Sequence, residues 1–85
     1  MAYYLYILKS VYHHKYYTGI SQNPELRLQY HNTLEKGFTS RYRPWEIKFK
    51  KEFADKFMAT AAEKKIKSWK SSIMIEKLVS GKIRI

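Results

Sequence analysis

Tyr3 to Leu8 is an unbroken run of apolar and aromatic side chains, Tyr-Tyr-Leu-Tyr-Ile-Leu. A strand with one wet face alternates apolar and polar residues. This run does not, so it suits a strand buried on both faces. Such a strand needs cover above and below, which a chain of 85 residues supplies by layering its helices around one sheet. The length allows one domain over residues 1–85 and one small core. Lys15 to Ile20 reads as a second strand with Gly19 near its end, joined to the first through the more polar Lys9 to His14 as a hairpin. Asn23-Pro24 is a helix start, with Asn as N-cap and Pro at the first helical position. Leu26, Tyr30 and Leu34 line one stripe of that helix, Arg27 and His31 a neighbouring one, and Lys36-Gly37 is the expected stop. Phe38 to Pro44 reads as a basic loop. Trp45 to Phe53 reads as a third strand with Trp45, Ile47 and Phe49 on one side. Asp55 can cap a helix from Lys56 to Lys70, whose buried side is Phe57, Met58, Ala62, Ile66 and Trp69. Ser71 and Ser72 can cap a last short helix through Ile73, Ile75, Leu78 and Val79, ended by Gly81. The expected fold class is α+β: a three-stranded antiparallel sheet flanked by helices, in the order β-β-α-β-α-α.

Composition removes several function classes. There is no cysteine, hence no disulfide framework and no thiolate site for zinc or iron–sulfur. The apolar runs are too short to span a membrane, and the first residues lack the basic start and small-residue cleavage site of a signal peptide. A cytoplasmic protein with no membrane partner is expected. Seventeen Lys and Arg against seven Asp and Glu leave a net charge of +10. Such an excess repels itself in a compact fold and points to a polyanionic partner. It is uneven: residues 1–40 hold four basic and two acidic side chains, residues 41–85 thirteen and five. All eight tyrosines lie at or before Tyr42, so a phenol-rich half adjoins a cationic one.

The acids are too sparse for a two-metal nuclease, which clusters several carboxylates, and the three glycines at 19, 37 and 81 form no phosphate-binding loop. Serine and cysteine nucleophile signatures are absent. His13-His14 is an adjacent pair whose rings rarely converge on one ion. What remains is Tyr4-Leu5-Tyr6 and Tyr17-Thr18-Gly19 on two strands, Arg27 and His31 on the next helix, and Glu63 in a lysine-rich helix. If Tyr6 pairs with Tyr17, both phenols share a sheet face, and the helix brings Arg27 and His31 over it. Each residue has an ordinary structural reading as well: the tyrosines as cross-strand packing, Arg27 as a solvated cation, Glu63 as an i, i+4 partner of Lys67.

The order Tyr-x-Tyr, ten residues, Tyr-Thr-Gly, then Asn-Pro-Glu-Leu-Arg-Leu-Gln-Tyr-His-Asn resembles the GIY-YIG nuclease domain, and within it the small stand-alone bacterial members. The likeness continues through Phe38-Thr-Ser-Arg-Tyr-Arg-Pro44 and Glu63-Lys-Lys-Ile-Lys-Ser-Trp69, nearly the whole chain. It implies metal-dependent hydrolysis of DNA phosphodiesters. By position it implies Tyr6, Tyr17, Arg27 and His31 as catalytic residues and Glu63 as the single metal-binding carboxylate. Two features depart from the family pattern: the first motif lacks its glycine, and no asparagine follows Glu63. With no appended DNA-binding domain, a partner protein is the expected source of target selection.

Physical chemistry fits these assignments. Mg²⁺ or Mn²⁺ can be held by one carboxylate plus waters and a substrate phosphate. A phenol, with a reference pKa of about 10, can accept water's proton only where positive charge favours the phenolate. Arg27 offers a planar cation for the phosphate, and His31 can orient water or shuttle a proton. Tyr17 is the preferred base and Tyr6 the positioning group, although the two roles could be exchanged. Arg41, Arg43, Lys64, Lys65, Lys67 and Lys70 are expected to track the phosphate backbone, and Trp45 and Trp69 to be core. The rival readings are a non-catalytic basic nucleic-acid-binding module with the same fold, and a small interaction protein with a protein or RNA partner.

Overall fold

A computed structural model describes residues 2–34 and 37–85. The strands are β1 (Tyr3–Ser10), β2 (Tyr16–Ser21) and β3 (Trp45–Phe53). The helices are α1 (Pro24–Thr33), the single turn α2 (Phe38–Arg41), α3 (Lys56–Trp69) and α4 (Ser72–Val79). The sheet is antiparallel with strand order β2-β1-β3, so the unbroken apolar run is the central strand. Leu5, Tyr6, Ile7 and Leu8 are all buried, at 0–1% exposure.

The alternation of β1 splits the interior into two cores. Leu5 and Ile7 meet Ile66 of α3 and Leu78 of α4 on one face. Tyr6 and Leu8 meet Trp45 and Leu28 of α1 on the other. The α+β architecture expected from the sequence is therefore present, with α2 added inside the segment that reads as a loop. Among the described residues no helix is long and apolar enough to cross a membrane.

Four details differ from the sequence reading. Tyr6 stands opposite Gly19, and Leu8 opposite Tyr17, so the two phenols are offset by two register positions and therefore still share a face. A β-bulge interrupts β3: Ile7 pairs with Phe49 but Leu8 with Ile47. The extra residue, Lys48, sends Phe49 to the α3–α4 core while Trp45 and Ile47 stay on the α1 side. On α1 the stripe of Leu26, Tyr30 and Leu34 is exposed, and His31 is buried instead. On α3 the buried positions are Ala59 and Ile66, with Phe57 and Met58 exposed at the helix start. The expected stop at Lys36 lies outside the described residues; α1 ends at Thr33, where the Leu34 N–H still donates to the Tyr30 carbonyl.

The helix starts follow the expected chemistry. Asn23, Asp55 and Ser71 each accept a backbone N–H from the third residue beyond. The far end of α1 is tied to β3 by an amide clamp. Asn32 Nδ2 donates to the Trp45 carbonyl (3.2 Å), and the Trp45 N–H donates to Asn32 Oδ1 (2.7 Å). The Trp45 indole in turn donates to the Thr39 carbonyl (2.8 Å), fixing α2. Asn32→Ala leaves a part-buried backbone N–H and carbonyl without these partners. It is expected to lower unfolding free energy by about 2 kcal/mol in chemical denaturation.

Candidate active site

Tyr6, Tyr17, Arg27 and His31 converge on the face that α1 covers. The Tyr6 hydroxyl lies 3.1 Å from His31 Nε2 in a buried contact. The Tyr17 ring is 4.6 Å from the His31 ring and 6.4 Å from the Tyr6 ring, centroid to centroid. Arg27 hydrogen-bonds the Tyr6 oxygen, and its guanidinium lies over the Tyr30 ring at 4.6 Å. Spacing on α1 explains the convergence: Arg27 and His31 are four apart, one turn above the other on the sheet-facing side. An arginine can only donate, so the Tyr6 oxygen accepts from Arg27, and its contact with His31 Nε2 completes a buried hydrogen-bonded group whose direction follows the His31 tautomer.

Burial pushes the Tyr6 pKa up, and the charges of Tyr17 and Glu63 add to the rise against the opposing pull of Arg27. The Tyr6 phenol is therefore neutral near pH 7. Glu63 belongs to α3, on the opposite layer, yet its charge is felt at Tyr6. It lies four residues after Ala59 and three before Ile66, on the inward stripe, and its side chain is only 19% exposed. Lys67 Nζ holds its carboxylate at 3.1 Å, so the ordinary ion-pair reading is also correct.

Gly19 makes room for this assembly. A Cβ built there would come within 2.6 Å of the Tyr6 hydroxyl and 3.2 Å of Tyr17 Cε1. The Tyr6 hydroxyl thus leans over edge strand β2. From the sequence Gly19 is a strand end and the last residue of the Tyr17-Thr18-Gly19 motif, with no steric role. The missing signal is the register that sets Gly19 against Tyr6. Tyr30, which stacks on Arg27, was likewise assigned to a neighbouring apolar stripe.

The remaining candidates are dispersed. Lys67 and Lys70 line a cavity with Tyr16 and Tyr17 beside β2. Lys64 and Lys65 are exposed on α3, and Arg41 is exposed at the end of α2. Arg43 Nε donates to the His31 carbonyl (2.8 Å), which braces the helix that carries His31. His13 and His14 diverge: His13 packs edge-on against Tyr42, and His14 approaches Glu76 at 3.8 Å. Trp45 is buried, and Trp69 packs against the α3–α4 core.

Comparison with known proteins gives a family and a similar structure. Residues 2–77 match the family described as the GIY-YIG catalytic domain. A solution NMR structure of a UPF0213 protein from Bacillus halodurans is similar over 94% of this chain and 84% of that one, at 27% identity and a TM-score of 0.59. No curated protein matches the chain.

Two outcomes test the site's construction. Gly19→Ala should displace the Tyr6 phenol and cost about 1–3 kcal/mol of stability by overpacking, read by denaturation. Tyr6 should also make stability pH-dependent. Its folded pKa lies above the unfolded value, so the folded chain keeps the proton longer. The stabilisation is complete below the unfolded pKa and lost as pH rises through the folded one. Melting between neutral pH and pH of about 11 should show a steeper alkaline fall in wild type than in Tyr6→Phe.

Proposed function

Because the chain belongs to the GIY-YIG catalytic-domain family, we propose that it is a metal-dependent endonuclease, hydrolysing DNA phosphodiester bonds with low intrinsic sequence specificity. The observation that carries this reading is the Tyr6–His31–Arg27 hydrogen-bonded group beside Tyr17, with the Glu63 charge acting on it. Arg27 binds the scissile phosphate and stabilises negative charge as it builds on the phosphoryl oxygens. Its stack on Tyr30 and its bond to Tyr6 hold the guanidinium in place before substrate arrives. Tyr17, packed against the His31 ring, accepts the proton of the attacking water. Tyr6 stays protonated and positions phosphate or water, and its bond to His31 fixes that ring for proton transfer.

Among the described residues no three His, Cys, Asp or Glu side chains gather as a metal site. A single-carboxylate arrangement fits the residues present. Glu63 offers hard oxygen donors at a partly open position, leaving the other ligands to water and phosphate oxygens. When bound there, Mg²⁺ or Mn²⁺ supplies charge stabilisation of the leaving oxygen. Lys67 competes for the same carboxylate and must give way. Arg41 and the α3 lysines supply sequence-independent attraction to the DNA backbone, and a partner protein supplies target choice.

A plasmid-nicking assay with Mg²⁺ or Mn²⁺ tests the proposal. Wild type should nick, chelation should stop it, and Tyr17→Phe, Arg27→Ala and Glu63→Gln should each lose about 10²–10⁴-fold in rate. Nicking that survives in all three variants would point to a contaminant. Salt-dependent DNA binding without cleavage under any metal would favour the non-catalytic binding module.

A further inference from the structure

The β2 side of the molecule carries a groove that begins at Tyr17 and extends beyond the residues assigned to cleavage. A cavity of about 340 Å³ lies beside Tyr17, walled by Lys67, Lys70, Ile66 and Ile75. A second of about 570 Å³ lies beyond it, walled by His14, Lys15, Ser71 and Ser72. Both share Tyr16, Lys70 and Ile75, so they form one groove between edge strand β2 and the corner from α3 to α4. Its inner end adjoins Tyr17 and the Lys67–Glu63 pair. Each compartment falls within the roughly 300–1,000 Å³ range of pockets that take small organic groups.

The lining is amphipathic in a particular way. Ile66, Ile75 and the half-buried Tyr16 ring make an apolar floor. The His14 ring stands edge-on to Tyr16 at 5.7 Å. Burial, with the Glu76 charge behind it, raises the Tyr16 pKa and keeps the phenol neutral. Lys15, Lys67 and Lys70 line it; the Lys15 ammonium rests over the Tyr42 ring at 5.5 Å and the Lys67 ammonium on Glu63, so both swing in to meet a ligand, and Glu76 lies next to His14. An aromatic platform edged by cations is the arrangement that holds single nucleotides of a strand.

Lys70 adds a second, independent observation. It ends α3 with φ 49 and ψ 36, in the left-handed region. Glycine is the usual residue at such a helix end, and a residue with a side chain is disfavoured there. Lys70 stands there in place of glycine, and it lines both compartments.

We infer that this groove is a subsite for a nucleotide of the DNA strand adjacent to the one being cut, its base against Tyr16 and His14 and its phosphates on Lys15, Lys67 and Lys70. The strand's identity as DNA rests on the nuclease reading. The groove itself rests on the cavities and on Lys70.

Binding of a fluorescent oligothymidylate, followed by anisotropy in EDTA across a salt series, tests it. Lys70→Gly and Lys15→Gln should each weaken binding several-fold and lower the salt slope by about 0.7, the share of one phosphate contact on a single strand. Lys82→Gln removes an exposed cation outside the groove and should do less. Lys70→Gly should also raise Tm, since glycine adopts that backbone without strain. Weaker binding with a higher Tm cannot come from unfolding, and Lys15→Gln reports on the groove without touching a helix end. Equal losses in all three variants, or thymidine monophosphate binding as tightly as the oligonucleotide, would overturn the inference. Groove-dependent binding with no nicking would strike the nuclease reading alone. Nicking without groove dependence would strike this one alone.

Discussion

Everything in this fold is arranged around a strand with no wet face. Leu5 to Leu8 must be covered on both sides, and the chain meets that demand with α1 on one layer and α3 with α4 on the other. Alternation then decides what each layer meets. Leu5 and Ile7 give one layer a purely apolar contact. Tyr6 gives the other a buried hydroxyl, and a buried hydroxyl needs partners. Arg27 and His31 are those partners. The same requirement that makes the core therefore draws polar side chains inward and assembles the candidate site.

That requirement explains where sequence reading succeeds and where it fails. Strand and helix identities were legible because the β1 run, the Asn23-Pro24 start and the Asp55 cap are local signals. The facing of α1 was not. By hydrophobicity alone Leu26, Tyr30 and Leu34 should turn inward; they lose to Arg27 and His31, whose partners sit on neighbouring strands far away in sequence. Phe49 escaped its expected face because a bulge adds one residue to the count, and a period of two cannot survive that addition. Phe57 and Met58 occupy the first turn of α3, where the apolar stripe has yet to reach the sheet. The site residues were legible only as an ordered set. No spacing rule tells that the Tyr6 ring lies over Gly19.

Electrostatics divides the two strand phenols. Tyr6 is enclosed and hydrogen-bonded on both sides, so its chemistry is that of a fixed neutral phenol. Tyr17 shares the same face but stays half-buried against His31. The difference favours Tyr17 as the proton acceptor in the proposed reaction. Their different surroundings could not be read from the residue types; they come from a register that places glycine, rather than tyrosine, opposite Tyr6.

A three-stranded sheet has two edges, and here they are treated differently. The exposed positions of β3 carry Glu46, Lys48, Lys50 and Glu52, mixed charges that discourage pairing with another strand. Two of them are already engaged, Lys50 with Glu25 on α1 and Glu52 with the Tyr4 hydroxyl. The β2 edge is flanked instead by Lys15, Lys67 and Lys70. Glu63 and Glu76 stand among those lysines, and Lys51 and Arg84 lie beside β3, so cations reach both edges. What distinguishes the β2 edge is the Tyr6 hydroxyl leaning over Gly19, which sets the phenols of the candidate site next to the lysines there.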